Sequence, residues 1–257
     1  VSTSSTFRDI RNGLLIGAVA TAILIPAVRW TQGSTAAVET AHASALPVAK
    51  RTAPVPDFGT IEPTPDARAL VRWIAQTNDN LDMPFVLVDK RAARVHVFNA
   101  AARLEDSTPV LLGSAPGDDS VPGVGEKPVH EVQPHERTTP AGRFVAHLGH
   151  NLTGEDVVWV DYGAAVSMHR VRPHLVPQER RAQRLASETV EDNRISYGCI
   201  NVPATFFEHR LLPVFSSMQA VVYVLPEEKS LQQVFGASLA QEPPREPLRV
   251  TRSAGFV

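Results

Sequence analysis

The chain has 257 residues but only one cysteine, Cys199, and only three methionines, three tryptophans and three tyrosines. A lone cysteine excludes an intrachain disulfide, so thiol pairing carries no information about compartment. No long basic run occurs, and 25 Lys and Arg against 27 Asp and Glu leave a formal charge of −2. Such a balance creates no field suited to a polyanion, and nucleic acid is not expected as a partner. The absence of G-x-G-x-x-G and Walker A patterns removes the usual signs of a nucleotide cofactor. HExxH and paired-cysteine spacings are absent too, and His147 and His150 in HLGH fall in a segment that reads as strand. No metal and no other cofactor is therefore expected. No internal repeat is found.

What is present begins with an asymmetric N-terminus. Arg8 and Arg11 precede an uncharged run from Asn12 to Val28, the order of a basic region followed by an apolar one. As a helix this run would span roughly 25 Å, just under a bilayer's hydrocarbon core. Residues 1–30 are thus expected to be a signal peptide or membrane anchor, with the basic flank on the cytoplasmic side and the rest of the chain exported. Small-x-small cleavage candidates at Ala41-His42-Ala43 and Ala43-Ser44-Ala45 lie far beyond Val28, which favours an uncleaved anchor over residues 12–30. Residues 31–64, rich in Ala, Thr, Pro and Ser, show no periodicity and read as a disordered linker.

Ala67, Leu70, Val71 and Ile74 form an i, i+3, i+4, i+7 stripe behind Pro65, so one helix is expected within 65–82. Short Val- and Phe-rich runs follow at 85–89, 94–99, 109–113, 142–148, 156–161, 164–169 and 219–225. Their spacing is too close for α/β units and predicts a mainly β domain over 83–225. In NVPATFFEHRLLPVF (201–215), Asn201 is a candidate cap and Phe206, Phe207 and Leu211 a buried face of a short helix. Residues 226–257 turn polar and Pro-rich and read as a loosely ordered tail.

Cys199 sits just ahead of that candidate cap. A helix N-terminus would lower a thiol's pKa, and Gly198 permits the sharp backbone that presents a nucleophile. A base is then required. His169 closes the AAVSMH run, and alternation puts it on the face of Ala165 and Ser167. His174, after a proline, is the rival base.

SYGCIN (196–201) resembles the active-site signature of the L,D-transpeptidase (YkuD-type) family, which reads Ser or Thr, His, Gly, Cys, an apolar residue, then Asn or Arg. TTPAGRF (138–144) resembles that family's Thr-Pro-x-Gly-x-Phe segment, and VDKRAARVHVFN (88–99) its opening strand pair. The resemblance implies a mixed, β-sandwich-like catalytic domain with a short helix after the nucleophile. It also implies Cys199 as nucleophile and His169 as base, with Ser196, Tyr197, Gly198 and Asn201 supporting the oxyanion or substrate. Tyr197 stands where the family has His, and the 26 residues from 170 to 195 are a longer gap than the family has there. In that insert Arg170, His174, Arg180, Arg181 and Arg184 are candidate contacts to substrate carboxylates. The activity implied is acyl transfer on peptidoglycan tetrapeptide stems through a cysteine thioester, in cell-wall cross-linking or remodelling. An L,D-carboxypeptidase and a catalytically silent wall-binding module are the alternatives.

Overall fold

The computed structural model describes residues 53–174 and 176–236. The predicted anchor at 1–30, most of the 31–64 linker and the end of the 226–257 tail lie outside the described residues. Among the described residues, no helix is long and apolar enough to cross a membrane.

Ten strands carry the fold: β1 (Phe85–Asp89), β2 (Arg94–Phe98), β3 (Leu104–Pro109), β4 (Leu112–Gly113), β5 (Gly142–His150), β6 (Asp156–Asp161), β7 (Val166–Arg170), β8 (Arg194–Ser196), β9 (Ile200–Val202) and β10 (Ala220–Val224). Eight of them form one sheet in the order β3-β2-β1-β10-β5-β6-β7-β9, and β4 and β8 form a small parallel pair. The mainly β expectation holds, but two stacked sheets are replaced by one sheet whose ends nearly meet. Leu111, two residues past β3, bridges Asn201 of β9, with N···O distances of 2.8 and 2.9 Å in the two directions.

Alternation sorts the side chains to two faces. Val86, Val88, Val95, Val97, Met168, Ile200, Val202 and Val222 point inward, and Phe206, Phe207, Leu211 and Phe215 plug this core. The plugging residues come from a helical stretch that starts at Ala204, with only Pro203 between it and the end of β9. The opposite face of β1, β2 and β10 is covered by α1 (Pro65–Thr77), whose predicted stripe Ala67, Leu70, Val71 and Ile74 is fully buried against Phe85, Leu87 and Tyr223. The Thr64 hydroxyl caps α1 by accepting from the Ala67 N–H at 3.2 Å, with Pro65 pre-set at the first turn. Among the described residues the remaining α-helices are α2 (Arg181–Leu185), in the long insert between β7 and β8, then α3 (Ala204–Phe206), joined by a π-helical turn at Phe207–Leu211 to α4 (Leu212–Ser217), and α5 (Leu231–Phe235).

Two expectations change in detail. Phe58 in the predicted linker packs edge-on against Phe98 at 5.3 Å between ring centroids. The ordered chain also continues past Leu225. Backbone N–H groups of Glu227, Glu228 and Lys229 all donate to the Asp118 carboxylate at 2.6–2.9 Å, and Ser230 caps α5. A polar composition conceals this order because a buried charge holds the segment alongside only two apolar anchors, Leu231 and Phe235.

Candidate active site

The parallel pairing of β7 with β9 puts Met168 beside Ile200 and His169 beside Asn201. Because Met168 and Ile200 face the core, Ser167, His169, Cys199 and Asn201 share the outer face. There Ser167, His169, Ala165 and Cys199 floor a cleft of about 700 Å³, walled by His147, His150, Trp159 and Tyr162.

Cys199 is half-buried. Its Sγ lies 3.7 Å from Ser167 Oγ and 3.6 Å from the Ala165 carbonyl. Withdrawal from water pushes the thiol up. The neighbouring His169, with the N–H and hydroxyl of Ser167, outweighs this and holds it below its ordinary value. His169 moves the other way: burial pulls it down, yet the neighbouring Cys199 and the Arg170 carbonyl raise it. The shifts are opposed because the charged form of each group favours the charged form of the other. His169 Nδ1 lies 3.1 Å from the Arg170 carbonyl oxygen, and Nε2 lies 3.0 Å from Asn201 Nδ2.

The helix explanation for this activation is corrected by the backbone. Asn201 is not a helix cap: its N–H and C=O pair with Leu111 inside a ladder, and Pro203 precedes the first helical residue, Ala204. The thiol therefore meets side-chain and strand donors, not a helix end.

Gly198 has φ of +119°, and a Cβ there would sit 2.8 Å from the Thr138 carbonyl oxygen. Only glycine fits both the conformation and the space. Ser196 is buried and acts on the backbone: its Oγ donates to the Cys199 carbonyl at 2.6 Å and accepts from the Gly198 N–H at 3.1 Å. Thr139 completes the clamp by donating to the Gly198 carbonyl at 2.8 Å. Tyr197 is not among the residues walling the cleft. Its ring is 39% exposed, with the Arg137 guanidinium 4.0 Å from its centroid.

The arginines of the insert divide. Arg170 is buried, with Nε 2.5 Å from Glu208 Oε1 and Nη1 2.9 Å from the Asp156 carbonyl, its guanidinium over Phe207. It braces the helix that plugs the core, and only its carbonyl reaches the site. Arg184 donates to the Glu179 and Asp192 carbonyls. Arg180 takes a left-handed conformation at the start of α2, and His174 is exposed. Arg181 alone reaches the site, donating to Asn201 Oδ1 and to Glu179. Ser167, Trp159 and Tyr162 were not singled out from sequence; the alternation that placed His169 also applied to Ser167.

No family model matches the chain, and no curated protein matches it. Among solved structures, similarity is found to a helical cell shape determining protein from Campylobacter jejuni, at 16% identity over 62% of this chain and 55% of that one, with a TM-score of 0.37. It is also found to the catalytic domain of an L,D-transpeptidase from E. faecium, at 16% identity over 56% of this chain and 98% of that one, with a TM-score of 0.31. An L,D-transpeptidase from Mycobacterium smegmatis matches at 16% identity over 55% of this chain and 58% of that one, again at 0.31. The chain spans about half the length of the first solved chains it matches.

Proposed function

We propose that this chain is a cysteine acyltransferase of the L,D-transpeptidase type, acting on peptidoglycan tetrapeptide stems. The observation that carries the reading is the seating of Cys199 among Ser167 and His169 on one sheet face, at the floor of an open cleft, within the SYGCIN motif.

In the proposed reaction the Cys199 proton passes to His169, and Sγ attacks the carbonyl joining the third and fourth stem residues. The tetrahedral intermediate collapses as its C–N bond breaks, and the imidazolium returns the proton to the departing terminal D-amino acid. An amine then attacks the thioester to give a cross-link, or water attacks to give a trimmed tripeptide, and either nucleophile's proton is taken up through His169. The Arg170 carbonyl holds Nδ1–H throughout and so leaves Nε2 to exchange the proton. An envelope location follows from such a substrate. The apolar run at 12–28 would tether the chain there.

The test is mass analysis of disaccharide-tetrapeptide incubated with the protein. Release of the terminal D-amino acid, lost in Cys199→Ala, supports the reading. A new dimer marks transpeptidation and a tripeptide marks carboxypeptidation. Binding of the stems with no release of the amino acid would make the chain a silent wall-binding module and end the enzymatic reading.

A further inference from the structure

Arg181 lies in the insert between β7 and β8, 20 residues before Asn201, yet its guanidinium donates to Asn201 Oδ1. Its side chain is 16% exposed and is held from behind by Glu179. A guanidinium has donors only, so the amide of Asn201 must turn its oxygen to Arg181 and its nitrogen to His169. The 3.0 Å contact from Asn201 Nδ2 then requires Nε2 of His169 to accept. Nδ1 must accordingly carry the proton, which it donates to the Arg170 carbonyl 3.1 Å away.

We infer that Arg181 is a positioning residue that acts through Asn201 to hold His169 as the neutral Nδ1–H tautomer, opposing its premature conversion to imidazolium. The inference rests on the reading of His169 as base and Cys199 as nucleophile, and it assigns the insert a task that substrate binding does not. With Arg181 in place, an Nε2 proton faces an amide donor and is disfavoured until the attack of sulfur on substrate drives the thiol proton onto the ring. Without it, the Asn201 amide is free to turn its oxygen to Nε2–H and stabilise the imidazolium. The positive charge of Arg181 acts in the same direction. The other titratable or charged groups around His169 are Cys199 beside it, Glu179 behind Arg181, and His147 and His150 on the cleft walls, His150 being paired with Asp156 at 3.2 Å. None of them is altered in the variants below.

The experiment follows the ring nitrogens of His169 by NMR across pH in the full chain, alongside the rate of Cys199 alkylation by iodoacetamide. The wild type should show the Nδ1–H tautomer. Arg181→Met should raise the imidazole pKa by about one unit, a tenfold change in the ratio of protonated to neutral ring. Arg181→Lys, which keeps a donor-only cation, should restore most of the wild-type titration. In an Asn201→Leu background the effect of Arg181→Met should shrink, since the path through the amide is gone. Should Arg181→Met fail to fold, Arg181→Ala takes its place, and a wild-type ring found in the Nε2–H tautomer would overturn the inference without any variant. An unshifted titration in folded Arg181→Met, or an undiminished shift in the Asn201→Leu background, would overturn the inference. Neither readout needs peptidoglycan, so a failure to turn over stem peptides would sink the functional reading separately.

Discussion

Thr139 holds the carbonyl of Gly198: its Oγ1 donates across 2.8 Å, and the same oxygen accepts the Gly113 N–H at 2.9 Å. One buried hydroxyl therefore fixes the turn that presents Cys199 and ties it to the end of β4. Replacing it by the isosteric Thr139→Val leaves two buried backbone groups unpaired, at a cost of about 1–3 kcal/mol. The melting temperature should fall and alkylation of Cys199 should slow, whereas Thr139→Ser should retain both. A Thr139→Val protein as stable and as reactive as wild type would show that the turn holds without the hydroxyl.

Gly198→Ala places a methyl group against the Thr138 carbonyl in a backbone region that L-residues rarely adopt. The turn must shift, and a displacement of about 1 Å at a reacting atom costs on the order of 100-fold in rate. Acyl transfer should drop by that order while circular dichroism stays native. Undiminished turnover would mean the turn tolerates a side chain.

Part of this site was legible in sequence and part was not. Cys199, Gly198 and His169 stand in a short motif and at the end of an alternating strand, where local pattern suffices. The strands β1, β2, β5, β6, β7 and β10 were also legible, being rich in Val and Phe. β3 reads LEDSTP, a polar edge with no periodicity to find. β8 and β9 have three residues each, too short for any period, so Asn201 before a proline looked like a helix cap. Arg181 was visible only as one of several insert arginines, because its contact depends on a loop folding back across 20 residues.

Buried charge holds the segment after Leu225. Lys90 is fully buried, with Nζ 2.7 Å from Asp118, 2.6 Å from the Gly117 carbonyl and 3.0 Å from the Thr139 carbonyl. Burial alone would push the Asp118 carboxyl up. Backbone N–H donors from Lys229, Glu227 and Glu228, with Lys90, instead bring it down to about 2. Its folded value is depressed, so its contribution to stability is present above the ordinary 3.8 and is lost as pH falls toward 2. Lys90→Met should destabilise by about 3–5 kcal/mol by stranding the carboxylate. A chain ending at Leu225 should lose comparable stability in urea unfolding, and unchanged midpoints in both would refute the clamp.

His96 governs a different pH window. It is buried on β2 between Leu87 of β1 and Ser107 of β3, its Nδ1 lacks a hydrogen-bond partner, and burial lowers its pKa from 6.5 to about 4. Its folded value is depressed and the native state binds fewer protons, so stability is full above about pH 6.5 and falls progressively toward pH 4. The loss is roughly 3 kcal/mol at most. His96→Leu should flatten that limb of the urea midpoint against pH and leave the steeper loss below 4. An unaltered limb would assign it to other groups.

The Cys199–His169 pair predicts a pH profile of its own. The apparent pKa for alkylation of Cys199 should lie below the ordinary thiol value of about 8.5 and rise in His169→Ala, where the imidazole that lowers it is gone. A profile that does not move in His169→Ala would leave the thiol without its base.

The central claim, an acyl group carried on Cys199, is tested most directly by intact-mass spectrometry of the full chain incubated with a carbapenem, an acyl donor suited to a cysteine site of this type. The account predicts one acyl group per chain, mapped to the peptide holding Cys199, absent in Cys199→Ser and formed far more slowly in His169→Ala. No adduct in the wild type, or an adduct whose rate ignores His169, would contradict it.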